Sequence, residues 1–412
     1  MTSLRVFCAS WVFLGLVFEA KFLENGMAKT PPMGWMSWGY YMCADKCDKA
    51  TTKCLDEKLI MSVADKFYTD GYQEAGYEYI IIDDCWSERQ RVDRRLVPNR
   101  KRFPRGMKFL ADYIHKKGLK FGMYTNIAHD TCMRYPGSRD HFPEDIRQFA
   151  EWDIDYLKVD GCFVEKSYLD TAYIKLGAEL NKTNRPIVYA CSWPYYDRYI
   201  HHTDPNYPAV SQTCNIWRNY HDVFPEWASV RNIVMHYISK YDEYRKYHGP
   251  GHWNDPDMLM LGINVLTEGQ ARIQLVSFAM MSAPLLLSCN MDNIQPFEKK
   301  LLQNMDLIAI AQDPMGIMAR PYKLIGDLVM LVKPHLPSKG NIFPSFSFAF
   351  INFGTTKDTS TIIPSRYGAN STDEYTVMDT LSGVYTKNMS IHEELTVSVP
   401  PEDVVLYTLY PL

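Results

Sequence analysis

Between about residues 30 and 310, short apolar runs alternate with amphipathic stretches. The runs are Met33 to Trp38, Tyr77 to Trp86, Lys120 to Ile127, Tyr156 to Cys162, Ile187 to Trp193, Cys214 to Tyr220, His252 to Leu259 and Leu285 to Asn290, and they read as eight buried strands. Helical patterns lie between them. In Leu55 to Asp70, the residues Leu59, Ile60, Val63, Ala64, Phe67 and Tyr68 share one face, and Gly71 supplies the left-handed stop. Met107, Leu110, Ala111 and Ile114 repeat the device before Gly118. Eight strands alternating with helices over roughly 280 residues predict a closed (β/α)8 TIM barrel, an architecture that takes about 250. An open doubly wound sheet would carry a Gly-rich phosphate turn, and no G-x-G-x-x-G follows a strand here.

Beyond Gly316 the texture changes. Leu328 to Val332, Ser345 to Asn352, Tyr375 to Met378, Leu395 to Val399 and Val404 to Leu409 are short β-like segments separated by turn residues. The expected class is therefore α/β: a barrel over residues 27–315, followed by an antiparallel β-sandwich over 317–412. The second part contains no cysteine and no concentrated constellation of ionisable and aromatic residues, which assigns it a structural role.

Composition narrows the class of partner. The 412 residues carry a net charge of −4 and are 46% hydrophobic, enough for a sizeable core. Without a basic stripe or a block of like charge, nucleic-acid binding is not expected, and the partner is a neutral small molecule or glycan. Arg5 precedes the apolar stretch Val6 to Phe18, which is too short for a membrane span and reads as a secretory signal over residues 1–20. Cys8 falls within that signal, leaving nine of the ten cysteines. An odd count in an oxidising compartment predicts four bridges and one free thiol, for which Cys289 in an apolar run is the candidate. Zinc at Cys43-x3-Cys47 is disfavoured because no His lies at ligand spacing. Sequons at Asn181, Asn370 and Asn388 agree with secretion.

The carboxyl ends of the strands carry the chemistry, as the barrel predicts. They deliver Trp38, then Asp83 and Asp84, then Tyr124 and Asn126, then Lys158 and Asp160. Ser192-Trp193-Pro194-Tyr195-Tyr196 follows strand five, Arg218 and Asp222 follow strand six, and Asn254, Asp255 and Asp257 end strand seven. Any one Asp could cap a helix, and for Asp255 that alternative stands level with a functional one. Carboxylates from four strands on one face are costly without a purpose. Carboxylates with Trp and Tyr in a barrel mouth point to sugar chemistry, where two carboxyl groups flank the anomeric carbon. A metal hydrolase lacks clear His ligands, so neither metal nor cofactor is expected.

With these residues in view, the chain resembles the α-galactosidase/α-N-acetylgalactosaminidase family of retaining glycosidases. The resemblance is carried by Thr30-Pro-Pro-Met-Gly-Trp35, Ile82-Asp-Asp-Cys-Trp86, Lys158-Val-Asp-Gly-Cys162, Cys214-Asn-Ile-Trp-Arg-Asn219 and Gly249-Pro-Gly-His-Trp-Asn-Asp-Pro-Asp-Met258. It implies that Asp160 is the nucleophile and Asp222 the general acid and then base. It also implies that Trp38, Asp83, Asp84, Tyr124, Lys158, Arg218 and Asp257 bind the terminal sugar, with Ser192, Tyr195 and Tyr196 completing the pocket. Lys158, two residues before Asp160 on the same strand face, is expected to lower the nucleophile's pKa. Asp222 is expected to hold a proton in an apolar or like-charged setting.

The resemblance further implies bridges Cys43–Cys85, Cys47–Cys54, Cys132–Cys162 and Cys191–Cys214, residence in the lysosome and a homodimer. In this family a small residue at the Ser192 position goes with acceptance of a 2-acetamido group. The residue three positions on is typically small in acetamido-accepting enzymes, and here it is Tyr195. The expectation is cleavage of both terminal α-galactose and terminal α-N-acetylgalactosamine, since a pocket roomy enough for the acetamido group still holds a hydroxyl. A catalytically silent glycan-binding barrel is the competing class, and the presence of both Asp160 and Asp222 weighs against it.

Overall fold

Each of the eight apolar runs forms a parallel strand: β1 (Met33–Met36), β2 (Tyr79–Ile81), β3 (Lys120–Asn126), β4 (Tyr156–Asp160), β5 (Val188–Cys191), β6 (Ile216–Arg218), β7 (Trp253–Asp255) and β8 (Leu285–Leu287). The structure, a computed structural model, describes residues 24–47, 54–324, 326–339, 343–369 and 374–412. The signal segment 1–20 and Asn370 lie outside the described residues. Neighbouring strands follow chain order, and β1 pairs with both β2 and β8. A parallel bridge between Leu259 and Leu287 joins the β7 and β8 ends, giving the curled sheet of a TIM barrel. The strands are buried along almost their whole length, which is why they read as continuous apolar runs.

Helices pack outside the barrel. Helix Glu57–Thr69 starts at Asp56, whose side chain accepts from Leu59 N at 2.8 Å, and it ends before Gly71 at φ +86°. It buries Ile60, Val63, Ala64 and Phe67, whereas Tyr68 departs from the expected face and lies exposed beneath the Lys117 ammonium. Helix Gly106–His115 buries Met107, Leu110, Ala111 and Ile114.

The strands stop short of the apolar runs, because the residues that reach the site leave the sheet. Trp38 opens a one-turn helix (Trp38–Tyr41), and Asp257 adopts φ +77°, left-handed backbone that a non-glycine residue rarely takes.

The C-terminal strands are β9 (Arg320–Lys323), β10 (Leu328–Lys339), β11 (Phe343–Asn352), β12 (Asp358–Ile362), β13 (Glu374–Asp379), β14 (Val384–Ser390), β15 (Leu395–Val399) and β16 (Asp403–Pro411). Six form an antiparallel sheet in the order β14-β13-β16-β11-β10-β9, and β12 pairs with β15. The two layers enclose Met330, Phe348, Phe350, Ile362, Val397 and Val399. Strands β9, β12 and β14 carry no apolar run and were not anticipated from the sequence.

Helix Glu268–Met280 is buried along most of its length between barrel and sheet. At its start, a Cβ on Gly269 would lie 2.4 Å from Glu402 O, and Arg272 forms two bonds of 2.9 and 2.8 Å to Asp403. At its end, the Lys333 ammonium from β10 donates to Ala279 O, Ser282 Oγ and Ile310 O. Among the described residues no helix is long and apolar enough to cross a membrane.

Candidate active site

A cavity of about 200 Å³ opens at the carboxyl ends of the strands. It is walled by Trp38, Asp83, Asp84, Tyr124, Lys158, Asp160, Ser192, Tyr195, Tyr196, Arg218 and Asp222, together with Cys132, Cys162 and Ile200. Parallel register places these groups in layers. Tyr124 of β3 pairs with Lys158 of β4, and one layer higher Asn126 pairs with Asp160.

Both oxygens of Asp160 are fixed. Oδ1 accepts from the Tyr196 hydroxyl at 2.7 Å and from Gly161 N at 3.0 Å, and Oδ2 accepts from the Tyr124 hydroxyl at 3.1 Å. Gly161 has no side chain for a structural reason: a Cβ there would lie 2.8 Å from the Tyr196 ring. Tyr196 reaches Asp160 because the chain after β5 turns through a short helix, Trp193–Tyr195, and then a π-helical turn, Tyr196–Ile200. That wider turn also brings Ile200 to the cavity wall. Ile200 was not anticipated, since an inserted π turn leaves no mark in hydrophobic periodicity.

Lys158 differs from the sequence reading. Its ammonium sits 2.7 Å from Asp83 Oδ2, not on Asp160. Burial opposes its charge, but Asp83, Asp160 and Asp257 together hold the ammonium above its usual pKa. Burial likewise pushes Asp83 up, against the pull of Lys158. Asp84 is pushed up by burial to about 6, although Met133 N and Cys85 N donate to it at 3.0 and 2.6 Å.

Arg218 organises the opposite wall. Its guanidinium reaches Asp222 Oδ1 and Asp257 Oδ1, each at 3.0 Å. Partial burial works to raise the Asp222 carboxyl, yet Arg218 and Lys158 hold it below its usual range. The apolar or like-charged surroundings expected for Asp222 are thus replaced by an ion pair. Burial pushes Asp257 up to about 6 against Arg218, helped by the like charge of Asp222. The two carboxylates share one guanidinium, and the more buried one resists ionisation.

Asp257 also falls outside the cavity wall. It lines a smaller space beneath, with Asp255, Arg218 and Lys158, and its Oδ2 accepts from Val223 N at 2.8 Å. Asp257 N in turn donates to Asp255 Oδ1 at 2.8 Å, which gives Asp255 a structural task.

Four disulfides join Cys43 to Cys85, Cys47 to Cys54, Cys132 to Cys162 and Cys191 to Cys214, and Cys289 is a buried free thiol. The Cys132–Cys162 pair forms part of the cavity wall, with Cys132 Sγ 3.3 Å from Asp160 Oδ2. Among the described residues, the one grouping of three potential metal ligands is Cys132, Asp160 and Cys162, and its sulfurs are consumed by that disulfide. Asn181 lies exposed in the last turn of helix Lys166–Lys182, and Asn388 lies exposed on β14.

Residues 30–313 match the family described as melibiase, alpha galactosidase A. The α-N-acetylgalactosaminidase of Gallus gallus is 39% identical over 398 residues, covering 94% of this chain and 95% of that protein. The α-galactosidase A of Homo sapiens is 42% identical over 299 residues, covering 72% of this chain and 69% of that protein. The crystal structure of α-galactosidase I from Mortierella vinacea superposes with a TM-score of 0.82 at 27% identity, covering 93% of this chain and 98% of that one.

Proposed function

This chain belongs to the melibiase family of glycoside hydrolases, and we propose that it removes terminal α-linked N-acetylgalactosamine or galactose by double displacement. A carboxylate oxygen of Asp160 attacks the anomeric carbon while Asp222 protonates the departing glycosidic oxygen, leaving the sugar esterified to Asp160. Asp222, now a carboxylate, takes a proton from water, whose oxygen attacks the same carbon and releases the sugar with its configuration retained.

The observation that carries this reading is the pair of carboxyl groups, Asp160 and Asp222, on one cavity sized for a single sugar ring. Asp83, Asp84 and Lys158 supply hydrogen-bonding partners for its hydroxyls, and Trp38 and Tyr124 supply aromatic walls. Arg218 and Lys158 hold the Asp222 carboxyl below its usual range. A bound glycoside would exclude water from Asp222 and so favour its protonated form, the form that the first step needs.

The apolar run Val6 to Phe18 and the sequons support passage through the secretory pathway, and residence in the lysosome rests on the family resemblance. Association as a homodimer rests on the family resemblance, and light scattering on the purified protein tests it. The activity is tested by hydrolysis of p-nitrophenyl α-galactoside and of its 2-acetamido analogue between about pH 4 and 7. Turnover of at least one is expected, and it should vanish in Asp160→Asn with the fold intact. Turnover of neither by the wild-type protein, or full activity in the variant, would overturn the reading.

A further inference from the structure

The two oxygens of Asp160 are held unequally. Oδ1 takes two donors, the Tyr196 hydroxyl at 2.7 Å and Gly161 N at 3.0 Å, whereas Oδ2 takes one, the Tyr124 hydroxyl at the longer distance of 3.1 Å. An oxygen needs a free lone pair to attack carbon, so the less engaged Oδ2 is the attacking atom and Oδ1 stays on its donors through the reaction.

Tyr196 lines the cavity, but its hydroxyl is already engaged. The side chain is 5% exposed, and the hydroxyl proton faces Asp160 Oδ1 and, at 2.9 Å, Cys162 Sγ. The carboxylate is the stronger acceptor, and the sulfur, bridged to Cys132, has no hydrogen to return. Burial, and then the Asp160 charge, hold the hydroxyl well above its ordinary pKa, so it remains a donor. The π-helical turn that carries it is pinned along its length. His201 N donates to Tyr196 O at 2.9 Å, and the next residue, buried Asp197, accepts from the Lys166 ammonium on its side chain and from Thr203 N on its carbonyl at 2.9 Å.

We infer that Tyr196 is a positioning residue for the second displacement, whose hydroxyl stays on Oδ1 and favours the return of negative charge to Asp160 as the glycosyl ester breaks. The inference rests on the glycosidase reading of the site. When Oδ2 bonds the anomeric carbon, Oδ1 becomes an ester carbonyl, and the bond from Tyr196 weakens from charge-assisted to neutral. When water attacks, the bond from carbon to Oδ2 breaks, its electron pair returns to the carboxylate and the water proton passes to Asp222. The hydrogen bond regains its strength in step with that charge, and Tyr196 keeps its own proton throughout. The same bond opposes the first displacement, in which Asp160 loses charge, so the two steps answer differently to its removal.

Tyr196→Phe keeps the ring packed against Gly161 and removes only the hydroxyl. Wild type and variant are loaded with 5-fluoro-α-galactosyl fluoride, whose glycosyl ester accumulates on the nucleophile, and freed of excess reagent. Recovery of activity then times the second step, while kcat/KM for p-nitrophenyl α-galactoside reports the first. Recovery in the variant should slow by about tenfold more than kcat/KM falls. Recovery at the wild-type rate would overturn the inference, and so would equal losses in the two steps, the mark of a tyrosine that only fills space. Wild-type protein that neither hydrolyses the soluble glycoside nor takes up the reagent would strike at the glycosidase reading instead.

Discussion

Tyr195 is the residue at which the proposed choice of sugar is best tested. Its half-buried ring stands in the cavity wall, braced edge-on by Tyr196 at 5.2 Å and His221 at 5.5 Å and tilted against Tyr199 at 5.8 Å. A ring held on three sides narrows the wall that the small Ser192 leaves open. Tyr195→Ala should therefore raise kcat/KM for the α-N-acetylgalactosaminide relative to the α-galactoside, by roughly 10-fold. Ser192→Glu should move the ratio the other way, and both shifts are read by assaying the two p-nitrophenyl glycosides side by side. Asp257 makes a second prediction. Replacing it with Asn removes one of the two carboxylates on Arg218, so the whole guanidinium charge falls on Asp222 and favours its ionised form. The alkaline limb of the kcat/KM profile should then move to lower pH, whereas a mere sugar contact would raise KM and leave the limb in place. Asp160 and Asp222 were legible as strand-end carboxylates at motif spacing. The withdrawal of Asp257 from the cavity was not, because a left-handed φ at a non-glycine residue has no sequence signature.

At the scale of elements, the barrel strands were legible because burial on both faces makes them uninterrupted apolar runs. Their ends were overrun, since the residues that turn into the site are themselves apolar or aromatic. Strand β14, exposed along most of its length, and β9, at the sheet edge, have no buried face to impose a pattern. The Arg-rich loop from Arg89 to Arg105 is similarly explained by tertiary pairing. Arg91 forms two bonds of 2.7 and 2.6 Å to buried Asp145, Arg95 pairs with Glu151 and Arg105 with Glu57. Lys333 shows what such pairing does between elements. Its ammonium joins β10 to carbonyls near the ends of helices Glu268–Met280 and Met305–Ala311. Lys333→Met would take the ammonium away from buried Ile310 O, while Ala279 O keeps the Ser282 N–H at 3.1 Å, and urea unfolding should show a loss of about 1–3 kcal/mol.

At the scale of the molecule, opposing titrations set how the fold responds to acid. Asp84, held up at about 6 by burial, binds a proton in the folded state that the unfolded chain releases down to about pH 4. Its contribution is therefore present in acid and lost as pH rises through about 6. His335 acts in the opposite sense. Burial holds its imidazole down to about 4, below the unfolded value near 6.5, so its contribution is present above about 6.5 and lost as pH falls towards 4. Each works against the other by up to about 1.4 kcal/mol per pH unit in that window. Thermal unfolding followed from pH 7 to 4 should show Asp84→Asn losing the acid-side gain and His335→Gln losing the acid-side penalty.

The disulfide that walls the cavity makes the pocket, more than the scaffold beneath it, the part of the molecule that answers to thiols. Cys132 and Cys162 tie the loop after β3 to the loop after β4 beside Asp160, while the barrel strands beneath depend on apolar burial. A chain kept among reducing thiols could assemble its scaffold and still lack a finished pocket. A reductant should accordingly abolish glycoside hydrolysis before it melts the barrel, a difference read by assaying activity and circular dichroism on the same sample.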